Sequence, residues 1–204
     1  MNIIVKQFDE PFCHCRPDTS WEKENKGIWL PEFAEGLSYA PVIFTRIVKA
    51  GKCVGGKFVS RYYEGFNFGV LLYVYGKIDD KTIVSDCVDH TTLLPHPLYN
   101  SLVAENVENE FVLRKDGATI YSRKCGKDLL SCIEEAICTA SQGISLRTGD
   151  YMAVELQSRE LLATKTIGGI SGDSKIIGTE TNGNSFRLSA EFCENETIDY
   201  TINF

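Results

Sequence analysis

The feature that most constrains the fold is one run of β-forming residues near the middle of the chain. Residues 63–77 read YEGFNFGVLLYVYGK, and Val70–Tyr75 is an almost unbroken series of aliphatic and aromatic side chains. A strand with one wet face alternates apolar and polar residues, whereas a strand covered on both faces does not. The run therefore predicts a strand that is buried on both faces.

Shorter patterns on either side of this run predict further strands and one hairpin. The segment PVIFTRIVK (41–49) is apolar and β-branched, as is typical of a strand. In EFVLRKDGATIYSRKC (110–125), alternating residues flank Asp116-Gly117. Both residues of this pair tolerate positive φ, so the pattern predicts a hairpin with a type I′ turn. Further strands are predicted within 146–157, within 168–192 around an Asn182-Gly183 turn, and within 197–204.

One segment has helical periodicity. Apolar side chains recur three and four residues apart between Leu129 and Ala140, which predicts a helix over about 128–141. Asp128 is its predicted N-cap, and Gly143 is predicted to end it. We expect residues 1–40 to form an irregular N-terminal segment, and residues 79–101 a loop with a short strand at 82–84. The outline predicts a single domain (1–204) of the α+β class, mainly β, with a rolled sheet or sandwich.

Length and charge exclude several classes of function. A chain of 204 residues suits one well-buried core. Its net charge is −7 and its basic residues are scattered, so we expect no nucleic-acid partner. No stretch approaches the ~20 apolar residues that span a bilayer, so we expect no membrane partner. The N-terminal residues do not resemble a signal peptide, and we expect a cytoplasmic protein.

The segment Cys13-His14-Cys15 places three possible zinc ligands in a row. Structural zinc sites usually add a second ligand pair at a defined spacing, and His90 and His96 lie far away without such a motif. We therefore favour a strand or loop with buried thiols over a metal site. The eight cysteines are widely and unevenly spaced, which favours free thiols over disulfides.

The order of several segments resembles the fumarylacetoacetate hydrolase family. The resemblance covers an early strand with a glycine turn, the central strand ending in Gly-Lys, a hairpin–helix unit ending in L-x-x-G-D, and a terminal strand pair opened by Gly-Asp. These segments are PVIFTRIVKAGKCVGG (41–56), NFGVLLYVYGK (67–77), FVLRKDGATIYSRKCGKDLLSCIEEAICTASQGISLRTGD (111–150) and SGDSKIIGTETNGNSFRLSAEF (171–192).

The resemblance implies a mixed β-roll with few helices, commonly a homodimer. It also implies a divalent cation, magnesium or manganese, which chelates a β-dicarbonyl or keto acid and stabilises the developing enolate. In the family, a Glu-x-Glu pair on the central strand binds this cation. Phe68 and Val70 stand at those two positions here, and Val154–Gln157 replaces the family's TGTP segment. We therefore expect no metal site.

Three functions fit this resemblance. The first is a module without the family's metal chemistry that binds a small organic acid, of the keto or dicarboxylic type, or forms a dimer. The second is an enzyme with a rebuilt site, in which Arg46 holds a carboxylate and Glu64 or Glu155 acts as a base. The ordinary alternative for Glu155 is a solvent-facing side chain on its strand. The third is a magnesium- or manganese-dependent hydrolase, decarboxylase or isomerase whose ligands lie elsewhere.

Overall fold

The computed structural model describes residues 1–23, 27–79, 81–165 and 185–204. It is mainly β, as the sequence predicts. The strands are β1 (Asn2–Lys6), β2 (Cys13–Pro17), β3 (Ile28–Trp29), β4 (Ala34–Ile47), β5 (Tyr63–Ile78), β6 (Lys81–Ser85), β7 (Thr92–Leu93), β8 (Glu110–Lys115), β9 (Ala118–Lys124), β10 (Tyr151–Glu155), β11 (Glu160–Thr164), β12 (Ser185–Phe192) and β13 (Asn195–Asn203). The helices are α1 (Ser101–Glu105) and α2 (Lys127–Gly143), and 3₁₀ turns cover Asp18–Ser20 and Gly56–Arg61.

The strands form two sheets. The larger sheet has the order β2-β1-β10-β4-β5-β6, with β11 also pairing with β4 and β7 with β5. It is mixed, because β1 and β10 run parallel while β4 is antiparallel to both β10 and β5. The smaller sheet has the order β3-β13-β12-β8-β9. The architecture is therefore the mixed, curled β arrangement that the sequence resemblance implies.

The central strand β5 is buried on both faces, which confirms the prediction for this run. Phe68 and Val70 belong to a large core that also includes residues of the smaller sheet and of α2. Leu71 and Tyr73, which point the other way, belong to a second apolar cluster on the opposite face. The unbroken β-former pattern arises because each face of β5 has its own core to fill.

The hairpin and the long helix are also confirmed. Asp116 and Gly117 have φ values of 48° and 82°, the positive values that a type I′ turn needs. Helix α2 begins one residue before the predicted start, and its N-cap is Gly126, so the predicted Asp128 cap is wrong. Asp128 instead lies in the first turn, where a carboxylate is favoured by the helix dipole and pairs with Arg123. Gly143 is the last helical residue.

The prediction of an irregular N-terminal segment is wrong. Strand β1 lies inside the larger sheet between β2 and β10, and β4 already begins at Ala34. Ile3 and Val5 pair with Tyr151 and Ala153, almost 150 residues further along the chain. Local patterning does not predict this strand because its stability comes from that distant partner.

The remaining differences lie in the connections. Segment 79–101 contains two short strands, β6 and β7, rather than a loop with one strand. The predicted Asn182-Gly183 turn lies outside the described residues. The last described hairpin, between β12 and β13, turns at Cys193-Glu194, and both of these residues have positive φ. Within the part of the chain that the structure describes, no helix is long and apolar enough to cross a membrane.

Candidate functional site

The two positions where the resemblance places metal-binding glutamates are filled by packed apolar side chains. Phe68 and Val70 are both 0% exposed. The Phe68 ring stacks on Phe111 with a centroid separation of 4.9 Å. It also packs edge-on against Phe192, again at 4.9 Å. Because β8 and β12 supply these two partners, the smaller sheet closes directly over this part of β5.

The neighbouring strands give the same result. In register, Val154 of β10 faces Ile43 of β4, and Ile43 faces Phe68 of β5. All three side chains belong to the same core. The positions that correspond to the family's first glutamate and to its TGTP segment therefore lie two strands apart on the same face of the sheet, with Ile43 between them.

These residues do not fit a divalent cation. Magnesium and manganese take oxygen ligands, and hydrocarbon side chains offer none. Within residues 1–23, 27–79, 81–165 and 185–204, no three His, Cys, Asp or Glu side chains lie close enough together to hold an ion.

Arg46 and Glu64 form an ion pair at the surface. They are cross-strand partners on β4 and β5, with 3.4 Å between Arg46 Nη1 and Glu64 Oε1. About half of each side chain is exposed, at 47% and 57%. A pair in this setting contributes about 0–1 kcal/mol to stability, so it is a weak structural element and its arginine stays accessible.

Glu155 is buried, so the expectation of a solvent-facing side chain is wrong. Only 5% of the residue is exposed. Its carboxylate accepts hydrogen bonds from the Phe8 backbone amide at 3.0 Å, from the Tyr73 hydroxyl, and from Arg159 Nε at 3.4 Å. These contacts lie on the face of the larger sheet opposite Phe68.

Tyr73 lies between two guanidinium groups. The ring centroid is 4.3 Å from Arg16 Cζ and 3.7 Å from Arg159 Cζ. Burial is the main reason that the pKa of Tyr73 is raised above its usual value, and the nearby Glu155 carboxylate raises it further. Tyr73 is therefore a neutral hydrogen-bond donor to Glu155.

Arg16 of β2 holds β2 and β7 against the face of β5 that carries Tyr73. It is 1% exposed, and it donates to the Thr91 carbonyl at 3.1 Å, to Thr92 Oγ1 at 3.0 Å and to the Leu72 carbonyl at 2.9 Å. Burial lowers the pKa of its guanidinium. The side chain ties β2, β5 and β7 together.

The Cys13-His14-Cys15 segment does not gather its three side chains. It lies in β2, where successive side chains alternate between faces. His14 Nδ1 accepts a hydrogen bond from Gln7 Nε2 at 3.1 Å, and Asp86 lies 3.1 Å from its other ring nitrogen. Burial is the main cause that lowers the pKa of His14 and raises those of Cys13 and Cys15.

The three candidate side chains do not converge. Arg46 is paired in register with Tyr151, whereas Glu155 is paired with Val42. Four residues along β10 correspond to about 13 Å at the usual rise of a strand. Arg46 and Glu155 therefore belong to separate places on one face, and Glu64 accompanies Arg46 alone.

Arg46 instead borders a cavity of about 350 Å³. The turn residues 147–150 also line the cavity, as do the aromatic side chains of Trp21 and Tyr151. Tyr151 belongs to the apolar cluster on the face opposite Phe68. The cavity is therefore separated from the expected metal positions by the sheet itself.

A tight turn holds Arg147 at the cavity. Both carboxylate oxygens of Asp150 accept backbone hydrogen bonds, from Asn2 at 2.8 Å and from Arg147 at 2.9 Å. Gly149 has φ of 91° and donates to the Ile47 carbonyl at 2.8 Å. The L-x-x-G-D turn, which the sequence does predict, is thus anchored to β1 and β4, and this fixes where the Arg147 side chain begins.

The sequence does not predict the aromatic cluster at the cavity, in which Trp21 and Tyr151 line the cavity and His96 packs against both of them. The Trp21 ring lies 4.9 Å from Tyr151 and 5.7 Å from His96, and Tyr151 Oη is 3.3 Å from His96 Nε2. Burial first, and then Arg46, lowers the pKa of His96, so its ring is neutral near pH 7. These residues come from three distant segments, and only the Gly-Asp turn beside Tyr151 gives a local signal.

Comparison with known proteins shows similarity in structure alone. No family model matches the sequence, and no curated protein matches it. Maleylpyruvate hydrolase from Sphingobium sp. SYK-6 is 12% identical over 99% of this chain and 69% of its own, with a TM-score of 0.68. It has also been crystallised with manganese(II) and pyruvate.

Two further structures give the same result. A fumarylacetoacetate hydrolase family protein from Yersinia pestis is 11% identical, covers 99% of this chain and 91% of its own, and has a TM-score of 0.65. The 5-carboxymethyl-2-hydroxymuconate delta-isomerase from Mycobacterium smegmatis is 12% identical over 99% and 78%, with a TM-score of 0.64. Such low identities establish only the architecture. The chain therefore has the fold of the fumarylacetoacetate hydrolase family.

Proposed function

We propose that this protein binds a small organic acid, of the keto or dicarboxylic type, without the metal-dependent C–C bond hydrolysis of the family whose fold it has. One observation carries the proposal. The positions expected to bind the cation, Phe68 and Val70, are fully buried in contact with the smaller sheet.

The physical reason is that this region lacks both ligands and space for a hydrated ion. A hard cation keeps its water unless carboxylate or carbonyl oxygens replace it. The stacking of Phe68 on Phe111 and its edge-on contact with Phe192 occupy the region that such oxygens would need. Without a cation, the enolate-stabilising step of the family has no electrophile.

The direct test is a metal analysis of protein purified without metal affinity, combined with turnover assays on acylpyruvates and other β-diketo acids. We expect much less than one magnesium or manganese per chain and no turnover that depends on added manganese. One tightly held ion per chain, or hydrolysis that requires manganese, would show that the proposal is wrong.

A second candidate is an enzyme with a rebuilt, metal-independent site. The buried Glu155 carboxylate, in contact with the Tyr73 hydroxyl and Arg159, is the observation that favours it. Turnover of a keto acid in the presence of a chelator would support this candidate, provided that Glu155→Gln abolishes it while the variant stays folded by circular dichroism.

The same proposal includes a homodimer in the cytoplasm. Analytical ultracentrifugation of the purified chain gives the oligomeric state independently of the metal result. A chain that stays monomeric at micromolar concentration would remove the dimerisation role and leave the binding role to be tested by ligand titration.

A further inference from the structure

The cavity beside Arg46 collects positive charge in an acidic protein. The chain has a net charge of −7, yet two arginines border this cavity. Lys23 lies close by, with its Nζ 4.7 Å from the centre of the Trp21 ring. Asp150 also lines the cavity but is only 1% exposed, so the exposed charges at the cavity are those of the arginines, and a concave surface that carries such charges attracts anions. The cavity is therefore suited to an anion.

Arg147 is the group best placed to receive that anion. Its side chain is exposed, and it makes no hydrogen bond or ion pair with any other residue that the structure describes. Arg46, by contrast, shares its guanidinium with Glu64. A planar guanidinium binds a carboxylate through two parallel hydrogen bonds, which gives both strength and direction.

The carboxylates closest to the cavity do not pair with the Arg147 guanidinium. Asp150 is 1% exposed, and its two oxygens already accept the Asn2 and Arg147 backbone amides. Glu64 is directed to Arg46. Neither of these carboxylates occupies the Arg147 guanidinium.

Two aromatic side chains, Trp21 and Tyr151, also line the cavity. The indole N–H of Trp21 donates to the Leu94 carbonyl at 3.2 Å, which fixes the ring. Tyr151 meets it at an interplanar angle of 62°. Tyr151 is only 5% exposed and supports the indole edge-on, so the partly exposed Trp21 ring is the aromatic surface that is open to a flat ligand. Pockets of a few hundred Å³ suit small ligands.

We propose that the cavity bordered by Arg46, Arg147, Trp21 and Tyr151 binds a small planar organic acid. Arg147 receives its carboxylate, Arg46 adds a second positive charge, and the unsaturated or aromatic body of the acid lies against the Trp21 ring, which Tyr151 supports edge-on. The inference rests on the proposed function in that it names the ligand class and places the site on the face of the sheet opposite Phe68.

The test uses Trp21 as a reporter. The chain has two tryptophans, and Trp29 is 75% exposed, so Trp29→Phe leaves Trp21 as the only indole with little effect on folding. In this background we expect benzoate to change the fluorescence saturably. Benzamide lacks the charge and cyclohexanecarboxylate lacks the flat ring, so both should bind at least about tenfold more weakly.

Arg147→Gln removes one exposed arginine charge at the cavity. Arg61→Gln is the matched control, because it removes an exposed arginine charge that does not line the cavity. Arg147→Gln should weaken benzoate binding about tenfold or more, and Arg61→Gln less than about twofold. Arg147→Lys keeps the positive charge but loses the planar guanidinium that makes two parallel hydrogen bonds. Its affinity for benzoate should therefore lie between those of Arg147→Gln and the parent.

Three outcomes would overturn the inference. These are no saturable change up to about 10 mM benzoate, equal affinity in Arg147→Gln and its parent, and binding of inorganic phosphate as tight as that of benzoate. The metal analysis is separate. If the chain holds one manganese ion and still binds benzoate at Trp21, the proposed loss of metal chemistry is wrong but this site is supported. If the chain is metal-free and does not bind benzoate, the loss of metal chemistry is supported but this site is wrong.

Discussion

Replacing Phe68 with alanine tests whether the expected metal region is packed core or open cleft. Phe68 is 0% exposed, and its ring contacts Phe111 and Phe192 at centroid distances of 4.9 Å each. Removing a buried phenylalanine costs about 3–5 kcal/mol, because transfer energy is lost and a cavity remains. The two aromatic pairs account for about 0.5–1.5 kcal/mol each beyond simple burial. We expect Phe68→Ala to lower the free energy of unfolding by about 4 kcal/mol.

The assay is urea denaturation followed by fluorescence and circular dichroism, with coincident transitions required before the two-state free energy is used. Phe12→Ala is the matched control, because Phe12 is 58% exposed and its loss should change stability by less than about 0.5 kcal/mol. If Phe68→Ala costs less than about 1 kcal/mol, the surroundings do not pack on the ring. The region would then be an open cleft, and the reasoning against a site there would fail.

Two further predictions concern the opposite face of the sheet and the buried tyrosines. Arg16→Met should lower the free energy of unfolding by about 3 kcal/mol, since buried carbonyl and hydroxyl partners are left unpaired, whereas Arg187→Met removes a solvent-exposed ion pair and should change it far less. Equal losses in urea denaturation would contradict the anchoring role of Arg16. Burial raises the pKa values of Tyr39, Tyr63 and Tyr200 to about 12, from 10.0. The stability that their burial in the neutral form contributes is fully present below pH 10. It is lost as the pH rises from 10 through about 12, because these tyrosines ionise in the unfolded chain before they do in the folded one. A free energy of unfolding that stays constant between pH 9 and 11.5 would contradict this prediction.

The sequence predicts those parts of the fold whose pattern is local. The β5 run, the Asp116-Gly117 turn and helix α2 each carry their own signal over a short window, and each is present. Strand β1 is different, because its pairing with β10 depends on residues almost 150 positions away. A five-residue strand between two partners needs no long apolar run of its own, so periodicity does not reveal it.

The candidate site divides in the same way. Arg46 and Glu64 were selected as single residues and do lie together, because antiparallel register brings β4 and β5 side by side. Glu155 lies on a strand, as the sequence predicts, but the expectation that it faces solvent is wrong, because Phe8 and Arg159 cover its carboxylate. Trp21 lines the cavity and His96 packs against Trp21, and the sequence around each of them gives no sign of this.

The alternation of side chains along β5 separates the expected metal positions from the proposed cavity site. Phe68 and Val70 point to the core shared with the smaller sheet, while Leu71 and Tyr73 point to the face that carries the buried Glu155. A substitution that removes a cation ligand from one face leaves the other face unchanged, because neighbouring residues of a strand point in opposite directions. The proposed absence of metal chemistry at Phe68 therefore carries no implication for the cavity at Arg147. The two sites respond to different variants, and Phe68→Ala and Arg147→Gln should act independently in a double mutant, with free-energy changes that add to within about 0.5 kcal/mol.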